Sequence, residues 1–153
     1  MNSVVDGRTH LEVLDRAECL RLLAGTHLGR LAVVVDERPL VFPVNYALDG
    51  DAVVFRTAEG TKLHGARGHE VAFEIDRFDA AYHTGWSVLV VGVGEELDAP
   101  ADIERCSRLP LRPWGEAPKA HWMRIRPRAI TGRRIPPHGI PSHTIASVQE
   151  ETQ

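Results

Sequence analysis

The chain has 153 residues, of which 43% are hydrophobic and 25% charged, with a formal net charge of −3. This is the size and balance of one ordinary globular domain, long enough to bury a core unaided. It offers no global pull toward nucleic acid or an anionic membrane, so any anion site must be local.

The first 11 residues read as a flexible leader to a domain covering 12–135. The N-terminal stretch MNSVVDGRTHLEVLDR is charged where a signal peptide needs an apolar core, which points to a cytoplasmic protein. Asp15-Arg16-Ala17-Glu18 has the acceptor and the N3 glutamate of a capping box. A short amphipathic helix is expected over 15–24, with Ala17, Leu20, Leu23 and Ala24 on one face and Gly25 as its stop. From Gly29 the period changes. Three strands joined by tight hairpins are expected at about 30–35, 39–47 and 52–57, with turns at Asp36-Glu37-Arg38 and Asp49-Gly50. Pro43 makes the second of these an edge strand or a bulged one. GTKLHGARG then reads as a short helix closed by Gly68, VAFEIDRF as a half-buried strand, and GWSVLVVGVGEEL as a long apolar strand able to curve at its glycines. ADIERCSRL after Pro100 is a second helix of about two turns. HWMRIRPRAITGRRI supplies a last strand with a break at Pro127. The segment from Pro136, with three prolines and little periodicity, is expected to be a mobile tail (136–153) or to drape over a partner subunit. Short antiparallel strands with helices only at the margins indicate a mainly β fold, a small closed or split barrel.

One stretch concentrates chemistry. In FRTAEGTKL, at 55–63, Arg56 and Thr57 leave a strand, Gly60 permits a turn and Thr61 opens a helix. Open backbone N–H groups at that helix start, two hydroxyls, and the charges of Arg56 and Lys62 together suit a phosphate monoester dianion. A solvated surface turn carrying the same residues is the plainer alternative. In PVNY, Asn45 and Tyr46 fall on opposite strand faces. Asn45 could hydrogen-bond a planar heterocycle, while Pro43 leaves neighbouring backbone groups free; an edge strand with a solvated Asn is the competing reading. The tryptophans, Trp86, Trp114 and Trp122, sit near turns or strand starts, where they suit a ring platform, a subunit interface or ordinary core.

Other patterns carry little. Gly92 and Gly94 do not complete a dinucleotide loop, since the third glycine position falls on Leu97 and no βαβ unit follows. The pairs His64/His69 and His138/His143 lack a third ligand at a diagnostic spacing, so no metal site is expected. No GxSxG elbow occurs. Cys19 and Cys106 lie far apart without a CxxC spacing and read as small buried hydrophobes.

The order GRLAVVVDERPLVFPVNY, DAVVFRTAEGTKL, VAFEID, GWSVLVVGVGEEL, then PW…HWMRIRPRAITGRRI closely resembles the pyridoxamine 5′-phosphate oxidase-like family of flavin-binding split β-barrels, over about residues 12–135. The resemblance implies an antiparallel, Greek-key-like split barrel with a few flanking helices. It also implies a homodimer with FMN in the cleft between subunits. It assigns the phosphate to Arg56, Thr57, Thr61 and Lys62, and the ring edge to Pro43 and Asn45. The strand bordering the flavin, often the other chain's, would supply Gly85, Trp86 and Ser87, and Trp122 would stand near the ring.

The implied activity is FMN-dependent oxidation or reduction with a nicotinamide cofactor or a small electron acceptor. The flavin does the chemistry, so no protein residue need be catalytic. The Arg-rich C-terminal signature of true pyridoxamine-phosphate oxidases is not reproduced in ITGRRIPPHG, and Arg56 stands near where nitroimidazole-reductase relatives carry a histidine. Neither activity is therefore implied. The alternative on the same barrel is a carrier of FMN, deazaflavin or haem.

Overall fold

The computed structural model of the chain describes residues 4–112 and 119–136. Trp114, His138, His143 and most of the expected tail lie outside them. In chain order the elements are β1 (Val4–Val5), β2 (Glu12–Leu14), α1 (Arg16–Ala24), β3 (Leu28–Val35), β4 (Arg38–Asn45), β5 (Ala47–Asp49), β6 (Ala52–Thr57), α2 (Thr61–Ala66), β7 (Glu70–Asp79), β8 (Thr84–Glu96), α3 (Pro100–Ser107) and β9 (His121–Ile135). The strands form one antiparallel sheet in the order β1-β2-β9-β8-β7-β3-β4, with β6 also pairing with β9 and carrying β5 at its other edge. The non-consecutive neighbours β3–β7 and β6–β9 give the split-barrel, Greek-key-like path expected from the sequence. Among the described residues no helix is long and apolar enough to cross a membrane.

β9 is the common seam. One edge pairs with β8 along its length; the other takes β6 at His121–Ile125 and β2 at Gly132–Arg134. The strand does not break at Pro127. It continues through a register shift where Val91 pairs with Ala129 but Gly92 pairs with Pro127. Pro127 is tolerated because it falls between the two partners on that second edge, where no ladder bond is lost. Glycine is required opposite it: a Cβ on Gly92 would lie 2.0 Å from the Arg126 carbonyl oxygen. Val4–Val5, within the expected flexible leader, pairs with Glu12–Val13.

The barrel interior is filled by alternate residues of the strands, among them Leu31, Val33, Val53, Phe55, Phe73, Ile75, Val88, Val90, Met123 and Ile125. α1 closes one side. Asp15 caps it, accepting from the Glu18 backbone N–H at 2.8 Å. Glu18 does not complete the box. Its carboxylate accepts from Arg21 and from Arg134 of β9, each at 2.6 Å, and these guanidinia lower its pKa to about 2. The stripe that is buried is Cys19, Leu22 and Leu23, at helical spacing, while Ala17 and Ala24, expected on one face with Leu23, are exposed and Leu20 is half-buried.

β4 stops at Asn45, two residues short of the expected 47. Tyr46 turns inward there. Its ring meets Phe73 edge-on at 4.8 Å, and its hydroxyl donates to the Leu23 carbonyl at 2.6 Å in the last turn of α1. Burial pushes the phenol well above its ordinary pKa, so it remains a donor at any physiological pH. Tyr46→Phe removes the shortest hydrogen bond to the Leu23 carbonyl, which keeps the Thr26 backbone N–H at 3.4 Å, and is expected to cost about 0.5–1.5 kcal/mol of stability, read from urea unfolding midpoints.

Candidate functional site

Register places the residues of the suspected anion site. On β6 the side chains alternate, with Val53, Phe55 and Thr57 directed into the barrel and Val54 and Arg56 outward. Arg56 pairs with Trp122 on β9, and the Arg56 Cζ lies 4.8 Å from the centre of the Trp122 ring, a cation–π stack. Trp122 is in turn packed into a small outer cluster of Val54, Leu97, Cys106, Ile103 and Leu109, formed where α3 covers this face. The stack leaves the Arg56 Nε buried with no hydrogen-bond partner among the described residues. An unsatisfied buried donor on a permanent cation is costly unless a ligand meets it.

Lys62 enters from α2. Its Nζ lies 5.6 Å from the centre of the Phe42 ring. Burial, and then the neighbouring charge of Lys119, lower the pKa of its ammonium. Arg56, Lys62 and Lys119 have no ion pair with a carboxylate among the described residues. The nearby acid Glu59 is engaged elsewhere, on His121 Nε2 at 3.1 Å. The His121 Nδ1 contacts Glu96, and Glu96 also pairs with Arg67 just beyond α2. That chain of contacts ties both ends of the 58–67 segment to the starts of β9 and the end of β8.

The other expected residues divide. Thr61 is exposed as the first helical residue, and Gly60, at φ 149°, occupies the cap position without a side-chain bond. Thr57 is buried at 2% exposure on the inward face, its hydroxyl donating to the Ala58 carbonyl at 3.1 Å. Its side chain therefore turns away from Arg56. Pro43 and Asn45 lie on the outer face of edge strand β4, opposite Phe42, Val44 and Tyr46. Gly85, Trp86 and Ser87 sit in a separate groove of about 220 Å³ with Phe78, Arg133 and Ile135. Within one chain they are remote: Trp86 pairs with Arg134 whereas Glu96 pairs with Met123, beside Trp122. At about 3.3 Å per residue, the two ends of β8 are on the order of 30 Å apart.

Sequence reasoning missed Phe42, Lys119 and the His121–Glu59 contact. Lys119 and His121 stand two residues apart in PKAHW, but only the β6–β9 register brings that segment against FRTAEGTKL. Among the described residues no group of three or more His, Cys, Asp or Glu side chains could hold a metal ion.

Comparison with known proteins agrees with this architecture. The family model described as pyridoxamine 5′-phosphate oxidase matches residues 15–134. An uncharacterized protein of Mycobacterium tuberculosis is 36% identical over 128 residues, covering 80% of this chain and 84% of the relative. The FAD binding protein from Mycobacterium smegmatis superposes with a TM-score of 0.72 at 41% identity, over 81% of this chain and 99% of that one. A conserved protein of unknown function from Corynebacterium diphtheriae gives a TM-score of 0.70 at 32% identity, over 80% and 96% of the two chains. With the family match spanning nearly the whole barrel and the strand order in agreement, the chain belongs to the pyridoxamine 5′-phosphate oxidase-like family of split β-barrels.

Proposed function

We propose that the protein is a flavin-dependent oxidoreductase holding FMN or FAD between the two chains of a homodimer, with Arg56 and Lys62 as the grip on the flavin's 5′-phosphate. The observation that carries this reading is the buried, unpartnered Nε of Arg56 at the end of β6, followed in α2 by the partly desolvated Lys62. A phosphate oxygen would satisfy the one and neutralise the other. Thr61 adds an exposed hydroxyl, Thr57 its backbone, and Trp122 fixes the plane of the Arg56 guanidinium. FMN follows from the compactness of the clamp. FAD is named for the Mycobacterium smegmatis relative, and both carry the riboflavin 5′-phosphate that the clamp would hold. A bound flavin supplies hydride transfer, with a nicotinamide cofactor or a small acceptor as partner. The chain's part is to anchor the phosphate, and to orient the ring through Pro43, Asn45 and a second copy's Gly85–Ser87 segment.

The second copy is argued from the sheet's outer face. Val41, Ala32, Ala72, Val91 and Ala129 are cross-strand partners in sequence, making one small-residue row from β4 to β9. Exposed Val34, Leu89 and Val93 flank it. The cation beside the row, Arg30, is neutralised by Glu74 at 3.1 Å and Asp76 at 3.4 Å. Such a face, apolar at the centre and polar at its margin, has the make-up of a subunit interface. A second copy also suits the flavin reading, in which the Gly85–Ser87 segment and Arg56, ten residues of β8 apart through their partners, come from different chains.

Three outcomes are expected. First, the purified protein takes up FMN or FAD, and calorimetry shows which it prefers. Arg56→Met with Lys62→Met weakens that binding at least about 100-fold, because each lost charge-assisted bond is worth about 1.5–3 kcal/mol. Riboflavin, which has no phosphate, binds the wild type about as poorly. A bound flavin bleached anaerobically by NADH or NADPH marks an enzyme; one that no physiological donor reduces marks a carrier.

Second, Ala72→Arg, at the middle of the row, yields a monomer by light scattering and loses flavin although every phosphate contact is intact.

Third, Lys62→Met melts no lower than the wild type without ligand. The burial penalty on the ammonium is fully present below its lowered folded-state pKa and fades as pH rises toward the unfolded value. The melting advantage of the variant therefore shrinks between pH 7 and pH 10.

A further inference from the structure

A cavity of about 380 Å³ lies beside the expected ring edge, lined by His27, Asn45, Tyr46, Pro110 and Arg112. Its volume is that of a small-ligand site. Two of its walls are apolar in effect. Tyr46 is 1% exposed and its hydroxyl is committed to the Leu23 carbonyl, so it offers the cavity no polar side-chain group. Pro110 presents a ring without a donor. The three remaining groups are polar tips: the His27 imidazole, the Asn45 amide and the Arg112 guanidinium. Among the described residues none of these side chains has a hydrogen bond or ion pair and no carboxylate lines the cavity. His27 and Arg112 are both exposed, and a guanidinium that is always charged, lining a partly apolar pocket together with a second nitrogen donor, suits a carboxylate.

The place of the cavity gives it a role. Asn45 belongs both to its lining and to the proposed ring edge. Pro110 follows Leu109, which packs with Trp122 beneath Arg56. The stretch of chain leaving α3 thus lines the cavity through Pro110 and Arg112 and packs through Leu109 on Trp122, on which Arg56 stacks.

We infer that this cavity binds a small organic anion, a carboxylate on a short apolar body, with Arg112 gripping the carboxylate and His27 giving a second hydrogen bond. The assignment of that anion as the flavin's co-substrate rests on the flavin reading; the anion site itself does not. The apolar body packs on Tyr46 and Pro110. Neither Arg112 nor His27 takes part in holding the flavin.

Benzoate is the probe, titrated by calorimetry into the full chain, both free of flavin and loaded with FMN. The wild type binds benzoate, and binds benzyl alcohol, the same body without charge, at least about tenfold more weakly. Arg112→Gln weakens benzoate at least about tenfold and His27→Ala about threefold or more, while FMN affinity changes less than about threefold in either. In loaded protein, benzoate also shifts the visible flavin band, as a neighbour of the ring should. No benzoate binding by the wild type, or equal binding by wild type and Arg112→Gln with unchanged melting curves, overturns the inference. Benzoate binding that follows this pattern in a chain that takes up no flavin upholds the anion site and sinks the flavin reading instead.

Discussion

The register between β6 and β9 is the constraint on which the rest depends. It sets Arg56 opposite Trp122 and Thr57 opposite His121, and it does so because β9 is already fixed along its other edge to β8. A slip of one residue would exchange the faces of β6. Arg56 would enter the barrel against Met123 and Ile125, and the core would lose Val53 and Phe55 to solvent. Hydrophobic burial and placement of the cation are thus one requirement, and the proposed ligand grip is held at the accuracy of a packed core. The cost of this arrangement is local: a donor on Arg56 without a partner and an ammonium on Lys62 drawn out of water. On the proposed reading a single dianion relieves both.

Much of the fold was legible because it is written in local patterns. The hairpin turns after Val35 and Asp49, the glycine-closed α2 and the proline at the start of α3 each depend on neighbours in sequence, and the structure contains them within a few residues of the expected bounds. What local pattern could not give was orientation. The nine residues of α1 offer two helical stripes, Ala17-Leu20-Leu23-Ala24 and Cys19-Leu22-Leu23, and packing against the barrel selects the second, with Glu18 at its margin reaching Arg134 more than a hundred positions away. Pro127 was read as a break because a proline interrupts most strands; here the neighbouring strand has already ended.

The site divides the same way. Arg56 and Lys62 were visible as charges crowded around a turn, but their desolvation and the missing partner of Arg56 are properties of the assembled barrel. Trp122 stands directly under Arg56 because of pairing between strands that are distant in sequence. Thr57 shows the opposite case: its hydroxyl suited the chemistry, and strand parity turned it inward. Lys119 and His121 gave no signal of their own.

Edge strand β4 has a consequence for assembly. Pro39 and Pro43 share one parity along it, and a proline on an edge strand is placed with its missing N–H toward the open side. A strand approaching from outside would find two of the donors it needs replaced by ring carbons, so the sheet cannot readily be lengthened at this border. End-on growth of the sheet is thus blocked on the β4 side by covalent structure rather than by charge.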